Sequence, residues 1–237
     1  AGIMICGVAS SDTLDSVREA VLADSITRAS LVSDSPVTVG VHGFVQTRYS
    51  YTDGGGVDQS YGFSLPRTRL VVSGLIYDFD YTVSGQWNDG GSFNLTDAYA
   101  SGTFDSINFR FGQFKTSFMR EVNTSQVDIL GVERSMVANT FGQGRSQGIQ
   151  LSRDFGPLVA SVAYSDGFGT ANGVGSANDY AVTGRAEWDL CSGVNVGGAV
   201  SYNEQGTSYW TWTADAAMTF GAFSVGGAYV TANYDDY

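Results

Sequence analysis

The chain has 237 residues, enough for one large all-β domain or two smaller ones, with 31 glycines, 13 tyrosines and 14 phenylalanines but only 3 prolines. A formal charge of −12 argues against a nucleic-acid partner, and a single histidine, His42, excludes a histidine-rich metal site. The two cysteines, Cys6 and Cys191, are far apart with no metal or redox spacing and read as unpaired thiols. The opening AGIMICGVASS is apolar, with small Gly7 and Ala9 where signal peptidase cuts, so residues 1–10 read as the remnant of a secretory signal. Residues 11–32 follow a helical pattern: Leu14, Val17 and Val21 share a stripe behind a Ser11 or Asp12 cap. With the linker to 35, this segment is expected to lie in the periplasm. No run of about 18 or more apolar residues exists, so no transmembrane helix is expected.

From Val37 the period changes to two. Val37, Val39, Val41, Val45, Tyr49 and Tyr51 fall on one face, against Thr38, Gly40, His42, Gln46, Arg48 and Ser50 on the other, with Phe44 the exception. The run PRTRLVVSGLI sets Leu70, Val72 and Ile76 against Arg67, Arg69 and Ser73. DYAVTGRAEW and YWTWTADAAMTF repeat the rule, with Arg185 and Asp215 on their polar faces. Eleven such runs are predicted, near 37–51, 62–76, 80–88, 93–104, 106–116, 145–153, 158–166, 179–189, 194–202, 208–220 and 222–233.

A soluble sandwich alternates as well, with its apolar face inward. Three features favour a transmembrane antiparallel β-barrel over residues 36–237. Tight connections interleave with longer ones at 53–61, 89–92, 117–144, 167–178 and 203–207, as expected for short periplasmic turns and long external loops. Tyr and Trp gather near strand ends, where interfacial girdles lie. The polar faces carry Arg, Gln, Asn and Thr along whole strands, as a water-filled lumen requires. Two other readings stay open: a secreted β-sandwich adhesin or lectin, and a structural, non-conducting barrel.

Nothing in the chain suggests catalysis or a cofactor. No Ser/His/Asp set forms around one strand histidine, and GFG at 167–169 lacks the strand–turn–helix setting of a phosphate loop. The informative set is basic. Arg48, Arg67, Arg69, Arg110 and Arg185 lie on polar strand faces, and an arginine facing lipid near the midplane would cost ~2–4 kcal/mol. Guanidinia bind oxyanions by paired hydrogen bonds and stay charged at working pH. Lys115, Arg120 and Arg134 join them in or beside the segment 117–144, which completes a candidate pore-lining, anion-binding set. The competing reading is that Arg67 or Arg185 neutralises Asp97, Glu187 or Asp215 across the lumen.

The motifs LPRTRLVVSG, LTDAYASG, FRFGQFKTSF, VERSMVANTFGQGRSQGIQLS and VAYSDGFG, in that order, resemble the phosphate-selective porin O and P family of bacterial outer membranes. DYAVTGRAEW fits the following strand, and VREAVLADSITRASL is similar to helices preceding such barrels in some environmental, planctomycete-like members. The resemblance implies a homotrimeric barrel of about sixteen strands in contact with outer-membrane lipid. It further implies passive diffusion that favours small anions, phosphate-type oxyanions among them. It also implies that 117–144, the third external connection, folds inward, with Phe118, Met119, Val127, Ile129, Leu130 and Met136 on the wall. Two departures stand out. Eleven strands is an odd number and the chain stops at ANYDDY, so about five further strands are expected. Lys115 is the only lysine, which weakens the case for strong phosphate selectivity.

Overall fold

A computed structural model describes residues 37–54, 57–88, 90–129, 133–173, 178–221 and 223–234. The signal remnant, the helix expected over 11–32, Cys6 and Leu130 lie outside the described residues. The described chain forms eleven strands: β1 (Gly40–Gly54), β2 (Val57–Ile76), β3 (Phe79–Asn88), β4 (Phe93–Phe104), β5 (Ile107–Lys115), β6 (Arg145–Asp154), β7 (Leu158–Ser165), β8 (Tyr180–Cys191), β9 (Val194–Gln205), β10 (Thr207–Phe220) and β11 (Phe223–Tyr234). Each pairs antiparallel with its chain neighbours, giving one meander in the order β1 to β11. Among the described residues no ladder joins β11 to β1, so the sheet is open along that seam.

Period-two patterning decides which face goes where. Val41, Val45, Val83, Phe111, Ile149, Leu151, Val162, Val182 and Trp212 are all exposed on the outer face, each at least 39%. The side chains buried to below 2% are mostly polar: Asn203, Ser84, Ser146, Ser165 and Ser201 beside Phe114 and Phe118. A sandwich would bury the apolar face, so the sandwich reading falls. The face of one long sheet that is greasy outside and hydroxyl-lined inside belongs against lipid.

Two irregularities keep the pattern in phase. Between Gln46↔Arg67 and Arg48↔Ser64, β2 carries one residue more than β1. Pro66 sits in this bulge, where its missing N–H breaks no ladder bond. The extra residue moves the outward set from odd positions (Tyr61, Phe63, Leu65) to even ones such as Leu70, and so aims Arg67 and Arg69 inward. On β4 a second bulge lies opposite Ser84 and Gly85. There Thr96 and Asp97 both turn to Ser84, whose Oγ lies 2.6 Å from Thr96 Oγ1 and donates to Asp97 Oδ2 at 2.8 Å.

At one end of the meander every connection is tight. Asp105 and Ser106 both take positive φ, 46° and 66°, in the two-residue turn between β4 and β5, a conformation that matches strand twist. At the other end two connections are shorter than expected. β1 runs to Gly54 and β2 starts at Val57, while only Gly206 separates β9 from β10. Tyr51↔Tyr61 and Thr52↔Ser60 continue the ladder through what the sequence marked as loop. β2, at 20 residues, reaches roughly 65 Å, far beyond an apolar band of about 25 Å. A strand of that length runs past the apolar band.

Candidate functional site

The described part of the chain between β5 and β6, residues 116–129 and 133–144, folds against the polar face of the sheet. It holds two short helices, α1 (Arg120–Asn123) and α2 (Met136–Phe141). Phe118, Met119, Val122 and Ala138 are buried and pack with Ala199 of β9, flanked by Phe141 and Val230 of β11. Val127 and Met136, expected on the wall, are 64% and 83% exposed. Val122, Ala138 and Phe141 take that place, because the short helices turn those side chains, not their neighbours, to the sheet. Ser135 caps α2: its Oγ accepts from Ala138 N at 3.1 Å and donates to Glu121 Oε2 at 2.6 Å.

Charged clusters fasten the loop to two parts of the sheet. Toward β8–β10, Arg185 is 4% exposed and Asp215 is 6% exposed. Arg185 donates to Asp215 Oδ1 at 3.0 Å, to Glu187 at 2.7 Å and to the loop carbonyl of Phe118 at 2.7 Å. From the loop, Arg120 Nε reaches Asp215 Oδ1 at 2.6 Å, and its Nη2 bonds Asn195. Gly197 makes room for this meeting, since a Cβ there would lie 2.6 Å from Arg185 Nη2 and 2.9 Å from Asp215 Oδ1. Two guanidinia and two carboxylates balance in charge, so this cluster is a clasp.

Toward β1–β6 the balance differs. Glu133 bridges Arg67 at 2.6 Å and Arg48 at 3.3 Å. Arg69 donates to neutral Gln86 at 2.6 Å and lies over the Phe44 ring. Arg145 forks onto Asp97 with two bonds of 2.9 Å. Lys115 Nζ donates to the Val122 carbonyl at 2.9 Å. Arg134 donates to three loop carbonyls, those of Glu121, Val122 and Thr124, and to Gln126. Burial first, then the like charges of Arg145 and Arg67, weaken proton binding by the Arg134 guanidinium relative to a free one. Six cations here thus stand beside four carboxylates: Asp97 and Glu133 are paired with arginines, Glu121 accepts from Ser135 N and Oγ, and Asp128 borders the same hollow as Glu121 and Glu133.

Arg110 stands apart, nearer the tight-turn end. Its guanidinium lies 4.5 Å over the Tyr99 ring and 5.6 Å over Phe114. It borders a hollow of about 230 Å3 with Asp80, Ser101, Asn108, Gln150 and Ser152.

The structure therefore brings together Arg48, Arg67, Arg69, Lys115 and Arg134 on one side of the loop. It places Arg120 and Arg185 in the clasp on β8–β10, and Arg110 nearer the tight turns. Arg185 is neutralised by Asp215 and Glu187, as the competing reading held. Arg67 is paired with Glu133, and Asp97 belongs to Arg145. Sequence reasoning missed Arg145, Asn195 and Gly197. The paired glycines in VNVGGAV carried a readable hint, because a strand glycine marks a close approach.

A one-sheet meander with a greasy exterior, a polar interior and a loop folded into that interior defines an outer-membrane porin barrel. Residues 37–188 match the family described as phosphate-selective porin O and P, and the chain belongs to that family. It is a channel-forming protein of the outer membrane. A loop-L8 deletion mutant of OmpT, an outer membrane protein of Vibrio cholerae, shares 11% identity over 85% of this chain and 84% of that chain, with a TM-score of 0.45. OccAB4 of Acinetobacter baumannii shares 11% over 85% of this chain and 60% of its own, with a TM-score of 0.48. The trimer form of OmpT gives 9% identity, 85% and 90% coverage and a TM-score of 0.31. Among curated proteins there is no match.

Proposed function

We propose that this porin passes small hydrophilic solutes with a preference for anions, phosphate-type oxyanions included, and that it works as a homotrimer, as the family resemblance implies. The observation that carries the reading is the excess of cations over carboxylates between the loop and β1–β6. There, the five guanidinia of Arg48, Arg67, Arg69, Arg134 and Arg145, with Lys115 beside them, outnumber Asp97, Glu121, Asp128 and Glu133. A cleft lined by one sign concentrates the opposite ion whatever the net charge of the whole chain, here −12. Several sites that are each weak allow an ion to leave as readily as it enters. Arg69 suits a permeation role, because its hydrogen-bond partner Gln86 is neutral and the nearby Asp97 is already forked by Arg145. Arg120 and Arg185 contribute through the loop's position, since Asp215 and Glu187 take up their charge.

The test is the zero-current potential of the full-length protein in planar bilayers under a KCl gradient. Wild type should show the sign of chloride preference. Arg67→Gln with Arg69→Gln should move it toward potassium, most at about 0.1 M salt, where the Debye length of about 10 Å is comparable to a pore radius. A potassium-signed wild-type potential would refute the reading.

A further inference from the structure

Glu133 divides its two carboxylate oxygens between guanidinia from neighbouring strands. Oε2 lies 2.6 Å from Arg67 Nη2 and Oε1 lies 3.3 Å from Arg48 Nη1. Arg67 is steadied from its other side by donating Nη1 to Gln46 Oε1 at 2.9 Å. Arg48 and Arg67 are thus aimed at one carboxylate by the strands that carry them.

The contact does little to hold the loop. The side chains of Arg48, Arg67 and Glu133 are 37%, 22% and 35% exposed, and ion pairs open to water contribute at most about 1 kcal/mol. The clasp on β8–β10, with Arg185 and Asp215 side chains at 2% and 1%, is the buried fastening. Glu133 can therefore leave its guanidinia without the loop leaving the wall. A dissolved carboxylate offers the same two oxygens at the same spacing and replaces each contact one for one.

We propose that Arg48 and Arg67 form a binding site for small carboxylates on the permeation route, and that Glu133 is its tethered competitor. The site is closed by the protein's own carboxylate when empty and passes to a solute carboxylate by exchange. A tethered group acts at an effective concentration in the millimolar range, so the exchange favours solute only when solute is comparably abundant. Binding is then weak enough for transit. This inference rests on the anion-preferring reading above and assigns one solute class to part of the same surface.

The experiment uses the full-length channel in planar bilayers, with acetate as the probe, and records the acetate concentration that halves the chloride current. Glu133→Gln should lower that concentration about threefold to fivefold, the strength of a partly exposed ion pair. Glu121→Gln removes the same charge from the same loop but frees no guanidinium, and should leave the concentration near wild type. Adding Arg48→Gln and Arg67→Gln to Glu133→Gln should abolish the gain. If Glu133→Gln fails to insert, Glu133→Asp, one methylene too short to reach both guanidinia, should shift acetate in the same direction. Equal responses of Glu133→Gln and Glu121→Gln, or a gain that survives loss of both arginines, would overturn the site. The wild-type sign of the zero-current potential, read on the same membranes, reports separately on the anion preference itself.

Discussion

Asp215 is reached by two guanidinia from different parts of the chain, one from β8 and one from the inward loop. Its side chain is almost sealed from water, so its charge is sustained by those partners alone. Removing one member of such a buried set costs about 3–5 kcal/mol, because the charges left behind keep their desolvation penalty. Asp215→Asn should therefore release Arg120 and with it the loop. Single-channel conductance should rise and its noise increase, while the barrel still shows heat-modifiable gel migration. Gly197→Ala tests the same clasp without touching a charge. The added Cβ falls within 3 Å of both Arg185 and Asp215, and the conductance should again rise. Unchanged conductance in both variants would mean that packing alone fixes the loop. The clasp also shows why residue types did not reveal roles: Arg185 and Arg69 both alternate correctly on polar strand faces. Arg185 meets Glu187 on its own strand, but its buried partner Asp215 comes from β10, which no local pattern reveals.

The inward loop is the element that departs from the strand pattern, and its apolar content explains where it goes. A connection of this length with Phe118, Met119 and Val122 in it would not persist free in water. Phe118→Ala should cost about 3–5 kcal/mol of local packing, as for other buried aromatic truncations, and should widen the passage. Met136→Ala removes a side chain that is 83% exposed and should change stability by less than about 0.5 kcal/mol. Comparing conductance and thermal gel shift of the two variants separates the wall-facing side of the loop from its free side. All eleven strands were legible in the sequence, because period two survives even where bulges at Pro66 and Thr96 shift its phase. The loop's inward side was legible only in part. Phe118 and Met119 continue from β5, whereas Val122 and Met136 are sorted by two helices of one or two turns, too short to leave a periodic trace, and Val127 sits in a turn outside both. The candidate site was legible as a set of cations but not as pairs. Arg145 escaped notice because it stands at the first position of β6, where alternation has not yet begun.

At the scale of the whole molecule, the outer face is ordered by depth. Near the loop end it carries Tyr49 against Phe63 at 5.1 Å, Trp87 against Phe93 at 4.7 Å, and the series Tyr164, Tyr180, Tyr202 and Trp210 on successive strands. Near the tight turns lie Phe79 against Phe109 and Phe220 against Phe223, both at 5.9 Å, with Phe104 and Trp188 exposed beside them. Between these belts the face carries aliphatic side chains such as Val83, Ile149, Leu151, Val162 and Val182, with Phe111 and Trp212 among them. Aromatic rings suit the headgroup level and aliphatic side chains the hydrocarbon, so the two belts mark the bilayer's boundaries. One strand allows both faces to be compared. Ile149 on β6 is 55% exposed on the outer face, while Ser152, three residues on, borders the polar hollow beneath Arg110. Ile149→Arg puts a guanidinium into hydrocarbon at a cost of up to ~2–4 kcal/mol, whereas Ser152→Arg leaves it in lumen water. On refolding into lipid vesicles, the yield of heat-modifiable protein should drop for Ile149→Arg and stay near wild type for Ser152→Arg. The second variant should also move the zero-current potential further toward chloride, since it adds a lumen cation. Equal yields from the two variants would place neither face against lipid and would remove the membrane assignment of the outer surface.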